Sequence, residues 1–145
     1  MFVRTKKIKN KPYAYLVENT WVDGSSKQVV KQYLGRIYEA PPTPPADLTN
    51  VQPQQILPTV IQHELAQLPE IDVDVDEHTV KKSSRDVVVA LNGGYLCGYT
   101  LNELFSSLHV ADEQRPGLAL AQALAQVGLR VDKKDFIRLY MHFQS

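Results

Sequence analysis

The sequence predicts an α+β fold: an N-terminal three-stranded antiparallel meander, a Pro-rich linker, and a C-terminal β-hairpin with a three-helix unit. Aromatic and β-branched residues are enriched in the first segment, which favours strands. Seven of the nine prolines lie between residues 41 and 69, which indicates a linker. Apolar residues at helical spacing follow a hairpin signal in the last segment. We therefore divide the chain into residues 1–40, 41–85 and 86–145.

The length and composition are those of an ordinary globular chain. It has 145 residues, of which 43% are hydrophobic, enough for one domain or two small ones. No run approaches the roughly 18–20 apolar residues of a membrane-spanning helix, and the Lys-rich N-terminus does not lead into a signal peptide. A single cysteine, Cys97, excludes an internal disulfide. We expect a cytoplasmic protein without membrane contact.

The three strands of the meander are expected at residues 2–8, 13–22 and 27–34. The turn signal Asp23-Gly24-Ser25-Ser26 separates the last two strands. A four-residue turn would place Val22 opposite Lys27, and by subtraction Glu18 opposite Lys31. That register predicts a favourable cross-strand charge pair.

The same register assigns the meander side chains to two faces. The apolar face is expected to cover the core, and its residues are Tyr13, Tyr15, Val17, Trp21, Val30 and Leu34. Lys27, Lys31 and Tyr33 are expected on the opposite, basic face, which would be open to a partner. Stacking of Trp21 and the tyrosines on nucleic-acid bases is the alternative to a core position.

Charge is balanced overall but unevenly placed. Residues 1–40 hold eight basic and three acidic residues, a net charge of +5, and residues 41–86 hold three basic and eight acidic residues, a net charge of −5. A local excess of positive charge attracts phosphate even on a neutral chain. The candidate phosphate contacts of the meander are Arg4, Lys6, Lys7, Lys9, Lys27, Lys31 and Arg36. The alternatives are a solvated surface, or a basic unit neutralised by the acidic middle of the chain.

The middle segment contains two short patterned stretches. Residues 59–68 have the spacing of a short helix, and residues 71–76 alternate an apolar residue with aspartate. Three aspartates at this spacing raise the question of a metal site, but the glycine and glutamate of a calcium loop are missing. We therefore predict an acidic edge strand that discourages aggregation, and no metal.

The last segment is expected to contain a hairpin and three helices. Residues 86–91 form a strand pattern, and Asn92-Gly93-Gly94 is a turn signal. A capping box formed by Thr100 and Glu103 predicts the start of the first helix. The second helix is expected to begin at Pro116 and to end before Gly128.

The third helix follows Asp132 as its cap. We expect its inward side chains to be Phe136, Ile137, Tyr140 and Met141. Its cations Lys133, Lys134 and Arg138 are expected to face outward, in the order of a helix-turn-helix recognition helix, and are further candidate nucleic-acid contacts. A helical bundle without nucleic-acid binding is the alternative.

One segment resembles a known family. The basic start Phe2-Val3-Arg4-Thr5-Lys6-Lys7, the run Tyr13-Ala-Tyr-Leu-Val-Glu-Asn19 and the close Lys27-Gln-Val-Val-Lys-Gln-Tyr-Leu-Gly-Arg36 resemble the N-terminal segment of insertion-sequence transposases and of short archaeal and bacterial proteins that share it. In the transposases this segment precedes the catalytic domain and faces nucleic acid. The chain is too short for a ribonuclease-H-like core, so the resemblance implies association with DNA without transposase activity.

No catalytic arrangement is recognisable. The four histidines are scattered, and Cys97 lies in an apolar stretch without an activating cation. We predict no catalytic residue, no metal and no cofactor. The predicted function is a non-enzymatic nucleic-acid-associated protein that binds duplex DNA and is linked to a mobile element. The alternatives are a protein–protein adaptor or homo-oligomer that associates through its C-terminal helices, and a small enzyme whose residues are too dispersed to recognise.

Overall fold

The computed structural model describes residues 1–110, 114–115 and 117–144, which form an α+β fold as predicted. The strands are β1 (Phe2–Ile8), β2 (Lys11–Val22), β3 (Ser25–Glu39), β4 (Asp72–Asp74), β5 (Thr79–Lys82), β6 (Arg85–Leu91) and β7 (Gly94–Leu96). The helices are α1 (Ile56–Glu64), α2 (Gly98–Ser107), α3 (Leu118–Val127) and α4 (Lys133–Gln144), and a 3₁₀ turn at Pro53–Gln55 precedes α1.

A seven-stranded sheet joins the two ends of the chain. Its order is β1-β2-β3-β6-β5-β4, with β7 also paired to β6. The β1-β2-β3 meander is antiparallel, as predicted, and β3 pairs in parallel with β6 from Arg36–Val87 to Glu39–Ala90. Strand β5 was not predicted from the sequence. Whether the three predicted segments fold independently stays a prediction, but they share this sheet.

The hairpin between β2 and β3 turns on two residues. Asp23 and Gly24 both have positive φ, at 51° and 79°, and Val22 pairs with Ser25. Two positive φ angles in succession are the signature of a type I′ turn, whose twist matches that of the flanking strands. The predicted four-residue turn is therefore wrong.

Two irregularities in β3 then shift the register towards the predicted one. The pairing skips Lys31 and Leu34, so Glu18 lies opposite Val29 rather than Lys31. A bulged residue has no direct partner, and its side chain reaches neighbours along the ladder. Lys31 Nζ still lies 3.5 Å from a Glu18 carboxylate oxygen. The charge pair exists, although the register that predicted it is wrong.

Two hydrophobic clusters lie on opposite sides of β6. The larger one packs Val87, Val89 and Leu91 of β6 against all four helices. The smaller one joins β2, the C-terminal part of β3, β6 and Cys97. Its buried members are Ala14, Leu16, Leu34, Ile37, Val88 and Cys97. Both sides of β6 are covered, as expected for a central strand with a continuous apolar run.

Two helix predictions differ from the structure. The first C-terminal helix begins at Gly98, and Thr100 lies at its third position, where its hydroxyl accepts a hydrogen bond from the Cys97 amide at 3.0 Å. The capping box exists, but Cys97 rather than Thr100 is the cap. The third helix follows its predicted cap, since Asp132 accepts a hydrogen bond from the Asp135 amide at 2.8 Å. The predicted start at Pro116 lies outside the described residues, and Gly128 ends α3 as predicted.

The inward side of α4 also differs from the prediction. Leu139 and Asp135 are buried, whereas Ile137 and Met141 are exposed by 45% and 64%. Phe136 and Tyr140 are half-buried against the larger cluster. The helix is therefore rotated relative to the predicted orientation: Phe136 and Tyr140 face the core as predicted, Leu139 and Phe143 join them, and Ile137 and Met141 face outward.

Two arginines hold the Pro-rich segment against the helices. Arg130 donates to the Glu64 carboxylate at 2.9 Å and to the Thr43 carbonyl at 2.8 Å. Arg138 donates to the backbone carbonyls of Leu48 at 2.9 Å and Val51 at 2.7 Å. The segment predicted as a spacer is thus tied to α1, to the loop between α3 and α4, and to α4 itself.

Removing the Arg130 side chain is expected to lower the free energy of unfolding by about 2–3 kcal/mol. Glu64 is only 4% exposed, and in Arg130→Ala its carboxylate would lose the cation that compensates its burial. Urea denaturation followed by circular dichroism measures the change. Arg85→Ala removes an exposed arginine of β6 and should cost less than about 0.5 kcal/mol. Equal losses in the two variants would contradict the anchoring role.

Candidate nucleic-acid interface

One face of the meander carries both aromatic and basic side chains, and we term it the aromatic face. The pairs Arg4–Tyr15, Lys6–Tyr13 and Tyr15–Tyr33 define it, because directly opposed residues point to the same side of a sheet. By strand alternation its members are Phe2, Arg4, Lys6, Ile8, Lys11, Tyr13, Tyr15, Val17, Asn19, Trp21, Ser26, Gln28, Val30, Tyr33 and Arg36.

Three tyrosines form a cluster at the centre of this face. The ring centroid of Tyr33 lies 5.3 Å from that of Tyr15 and 6.2 Å from that of Tyr13, with tilted planes. Tyr33 is 54% exposed, and Trp21 further along β2 is 77% exposed. The face therefore presents large aromatic surface to solvent.

The predicted core assignment of this face is wrong. Tyr15, Val17, Trp21 and Val30 do share a face, but apart from Val17 that face is not buried, and Tyr33 joins it. Residues 21–33 are all exposed, because the β2–β3 hairpin extends beyond the part of the sheet that the helices cover. On the opposite face, Ala14 and Leu16 pack with Leu34 into the second cluster instead.

A cavity of about 300 Å³ lies in the aromatic face. It is lined by Arg4, Lys6, Tyr15, Val17, Gln28 and Val30. The Arg4 guanidinium donates a hydrogen bond to the side-chain oxygen of Gln28 across the sheet. Buried Val17 forms an apolar floor, while the rim carries two cations and an amide. Such a site suits a flat group with a polar or anionic edge.

The predicted phosphate contacts fall on both faces of the meander. Arg4, Lys6 and Arg36 lie on the aromatic face, whereas Lys7 and Lys27 lie on the other. Lys31 pairs with Glu18, and Lys9 lies in the turn between β1 and β2. The predicted separation into an apolar and a basic face is therefore wrong, since cations flank the aromatic side chains directly. Lys11, which lies on the aromatic face, was not among the predicted contacts.

Arg36 lies where the aromatic face meets the helix-covered part of the sheet. Its guanidinium carbon is 5.0 Å from the centre of the Tyr38 ring, and Lys82 Nζ is 4.4 Å from the same ring. Two cations on one ring are attracted by its quadrupole but repel each other. The buried Arg36 Nε has no hydrogen-bond partner. Lys82 Nζ also lies 3.9 Å from the Glu70 carboxylate, so one of the two cations at this corner is paired with an acid of the middle segment.

Acidic residues are kept away from the aromatic face. Within residues 2–36 the acids are Glu18, on the opposite face, and Asp23, in the hairpin turn. The acidic strand β4 forms the edge of the sheet opposite to β1. Five strand spacings of about 4.8 Å separate these edges along the sheet, more than the screening length of about 8 Å at physiological salt. The acids of β4 therefore do not compensate the basic charge of this face, and the carboxylate of the middle segment that reaches its border is Glu70, paired with Lys82.

The Tyr33 hydroxyl keeps its proton. Burial raises the pKa of this phenol above its ordinary value, and the neighbouring Tyr13, Tyr15 and Tyr38 raise it further. Because an ordinary tyrosine already titrates near 10, the ring is neutral at physiological pH. A neutral ring does not repel phosphate and donates a hydrogen bond.

Of the predicted nucleic-acid contacts in the helical unit, two are open to solvent and one is occupied by other residues of the chain. Lys133 and Lys134 are exposed, but the Arg138 guanidinium is occupied by Asp135 at 2.6 Å and by the two backbone carbonyls of the Pro-rich segment. Helix α4 packs on the larger hydrophobic cluster and on the 3₁₀ turn at Pro53–Gln55, and has no extended contact with the meander. The structure thus does not bring these three cations together with those of the aromatic face.

Within residues 1–110, 114–115 and 117–144, no three histidine, cysteine, aspartate or glutamate side chains are grouped to hold a metal ion. No helix in this part of the chain is long and apolar enough to cross a membrane. Comparison with protein-family models, with curated proteins and with solved structures found no match. The resemblance to transposase N-termini stays a prediction.

Proposed function

We propose that the protein is a non-enzymatic nucleic-acid-binding protein that contacts its ligand with the aromatic face. One observation carries the proposal: exposed aromatic rings and cations share a sheet face that carries no acid and lies far from the acidic edge. Polyanions with planar bases match both properties of this surface. A cytoplasmic location and a link to a mobile element, as expected from the sequence, belong to the same proposal.

The cations of the face would position the ligand. Arg4, Lys6 and Arg36 contact phosphates directly, and Lys11 extends the positive surface along β2. Lys7, Lys9, Lys27 and Lys31 add long-range attraction from the back and the tip of the meander. Phosphate contacts fix orientation but carry no sequence information, so we expect binding that tolerates many sequences.

A salt titration tests this function. If three or four phosphates are contacted, the logarithm of the affinity should fall linearly with the logarithm of salt, with a slope of about −2 to −4. Fluorescence anisotropy with labelled DNA duplexes, single-stranded DNA and RNA, using the full chain, measures the slope. Absence of binding to every nucleic acid at about 50 mM salt would refute the proposal, because electrostatic binding is strongest at low salt.

A second candidate function is supported by one feature of α4. Ile137 and Met141 are exposed and lie four residues apart, so they form an apolar stripe on the outer side of the helix. Exposed apolar stripes mark contacts with another protein. An adaptor or homo-oligomer that associates through this helix is the candidate that remains if no nucleic acid binds.

A further inference from the structure

We infer that the ligand of the aromatic face is a single-stranded nucleic acid whose bases stack on Tyr33 and Trp21. This inference rests on the proposed function and adds the ligand class. The charge of the first segment and its resemblance to transposase N-termini together predicted duplex DNA. The position and exposure of the aromatic rings favour single strands.

Base pairing is the first reason. In a duplex the base faces are already stacked on one another, so exposed rings on a sheet gain no stacking partner. Single strands offer free base faces, and proteins that bind them combine aromatic platforms with a basic track. The exposed rings of Tyr33 and Trp21 therefore gain a stacking partner from a single strand and not from a duplex.

The spacing of the rings is the second reason. Trp21 and Tyr15 are six residues apart on β2, which at about 3.3 Å per residue is roughly 20 Å. The Tyr33 ring packs beside Tyr15, so Tyr33 offers a stacking surface at one end of this stretch of roughly 20 Å, and Trp21 offers one at the other end. The cavity lined by Arg4, Gln28 and Val30 lies on the same face between the strands. An extended chain of several nucleotides would meet a ring, a cationic cavity and a second ring in succession.

Charge argues against a second copy of the chain as the occupant. In a symmetric face-to-face dimer, the same patch of each copy meets itself. Arg4, Lys6, Lys11 and Arg36 of the two copies would then be brought together, which like charges oppose. A polyanion instead neutralises all four cations. The apolar content of the face is therefore matched to bases rather than to another protein of this sequence.

The experiment compares ligands that share a backbone and differ in their bases. The full chain is titrated with twelve-nucleotide oligothymidine, oligouridine, an abasic deoxyribose-phosphate chain of the same length and a twelve-base-pair duplex. Trp21 is the single tryptophan of the chain, so its fluorescence reports stacking at one end of the face. We expect the base-bearing single strands to quench Trp21 and to bind at least about tenfold more tightly than the abasic chain. Oligothymidine and oligouridine distinguish DNA from RNA as the preferred source.

Three variants locate the effect. Trp21→Leu and Tyr33→Leu keep apolar bulk at exposed positions, and each should lower the affinity for oligothymidine about tenfold while leaving that for the abasic chain unchanged. Val29→Ala is the control, because Val29 is exposed on the opposite face of β3 and should not affect either ligand.

The outcomes separate this inference from the function it rests on. Equal affinity for abasic, single-stranded and duplex ligands, with no change in Trp21 fluorescence, would overturn base stacking but leave phosphate binding standing. No binding to any ligand would overturn both. A shift of Trp21 fluorescence with protein concentration alone would assign the face to self-association and overturn the inference.

Discussion

Replacing Arg4 and Lys6 together by glutamine is expected to weaken nucleic-acid binding at least about 100-fold at about 100 mM salt. Both residues lie on the aromatic face and line its cavity. A hydrogen bond to a charged group is worth about 1.5–3 kcal/mol, and each 1.4 kcal/mol is about tenfold in affinity. The salt slope should also become shallower by about 1–2, because two phosphate contacts are removed. Both quantities come from the salt titration described above.

The matched control changes the same charge on the opposite face. Lys7→Gln with Lys27→Gln also removes two exposed cations from the meander, but neither residue lies on the aromatic face. Only long-range attraction is lost, so we expect less than about a fivefold effect and an almost unchanged slope. If the two double variants lost affinity equally, the ligand would be held by overall charge rather than by the aromatic face.

Gly128→Ala is expected to lower the free energy of unfolding by about 3–4 kcal/mol. Gly128 ends α3 with φ at +85°, a conformation that disfavours a side chain. In addition, an added Cβ would overlap the backbone carbonyl oxygen of Leu91 at the end of β6. Asn92 donates to the Gly128 carbonyl at 2.9 Å, so the helix end cannot move away without breaking this bond. Urea denaturation measures the loss.

Gly24→Ala separates backbone strain from close packing. Gly24 has nearly the same φ, +79°, but nothing lies within 4 Å of an added Cβ in the β2–β3 turn. Its substitution should therefore cost only about 1 kcal/mol, the strain of the left-handed conformation. Similar losses at the two positions would show that the contact between α3 and the β6–β7 hairpin is not tight.

The candidate site was partly predictable from the sequence. Arg4, Lys6 and Arg36 were identified from the charge excess of the first segment, and strand alternation correctly placed Tyr15, Val17 and Trp21 on a common face. Which face is buried was not predictable. Alternation defines two sides but not which of them meets the core, and aromatic residues are more often buried than exposed.

Tyr33 and Leu34 were assigned to the wrong faces of the sheet because of irregularities within β3 itself. Two residues of β3, Lys31 and Leu34, are skipped in the pairing, and each skip transfers the side chains that follow to the other face. Tyr33 thereby joins Tyr15, and Leu34 joins Leu16 in the second cluster. Gly35, at φ +127° beside the second skip, is a strand-interior glycine of the kind that often marks a bulge, but the sequence does not show which residue is skipped. Arg138 resembled an exposed recognition residue because its partners, Leu48 and Val51, are some ninety positions away along the chain.

The sequence by itself determined the α+β class, the three-stranded meander, the end of α3 at Gly128 and the cap of α4 at Asp132. These features depend on neighbours within a few residues, through strand composition, turn residues and caps. Only the tertiary structure decided that β3 pairs in parallel with β6, that the Pro-rich segment is held by Arg130 and Arg138, and that the aromatic face stays open. Such features join residues far apart in the chain, and local pattern carries no information about which distant surface a strand or a cation will meet.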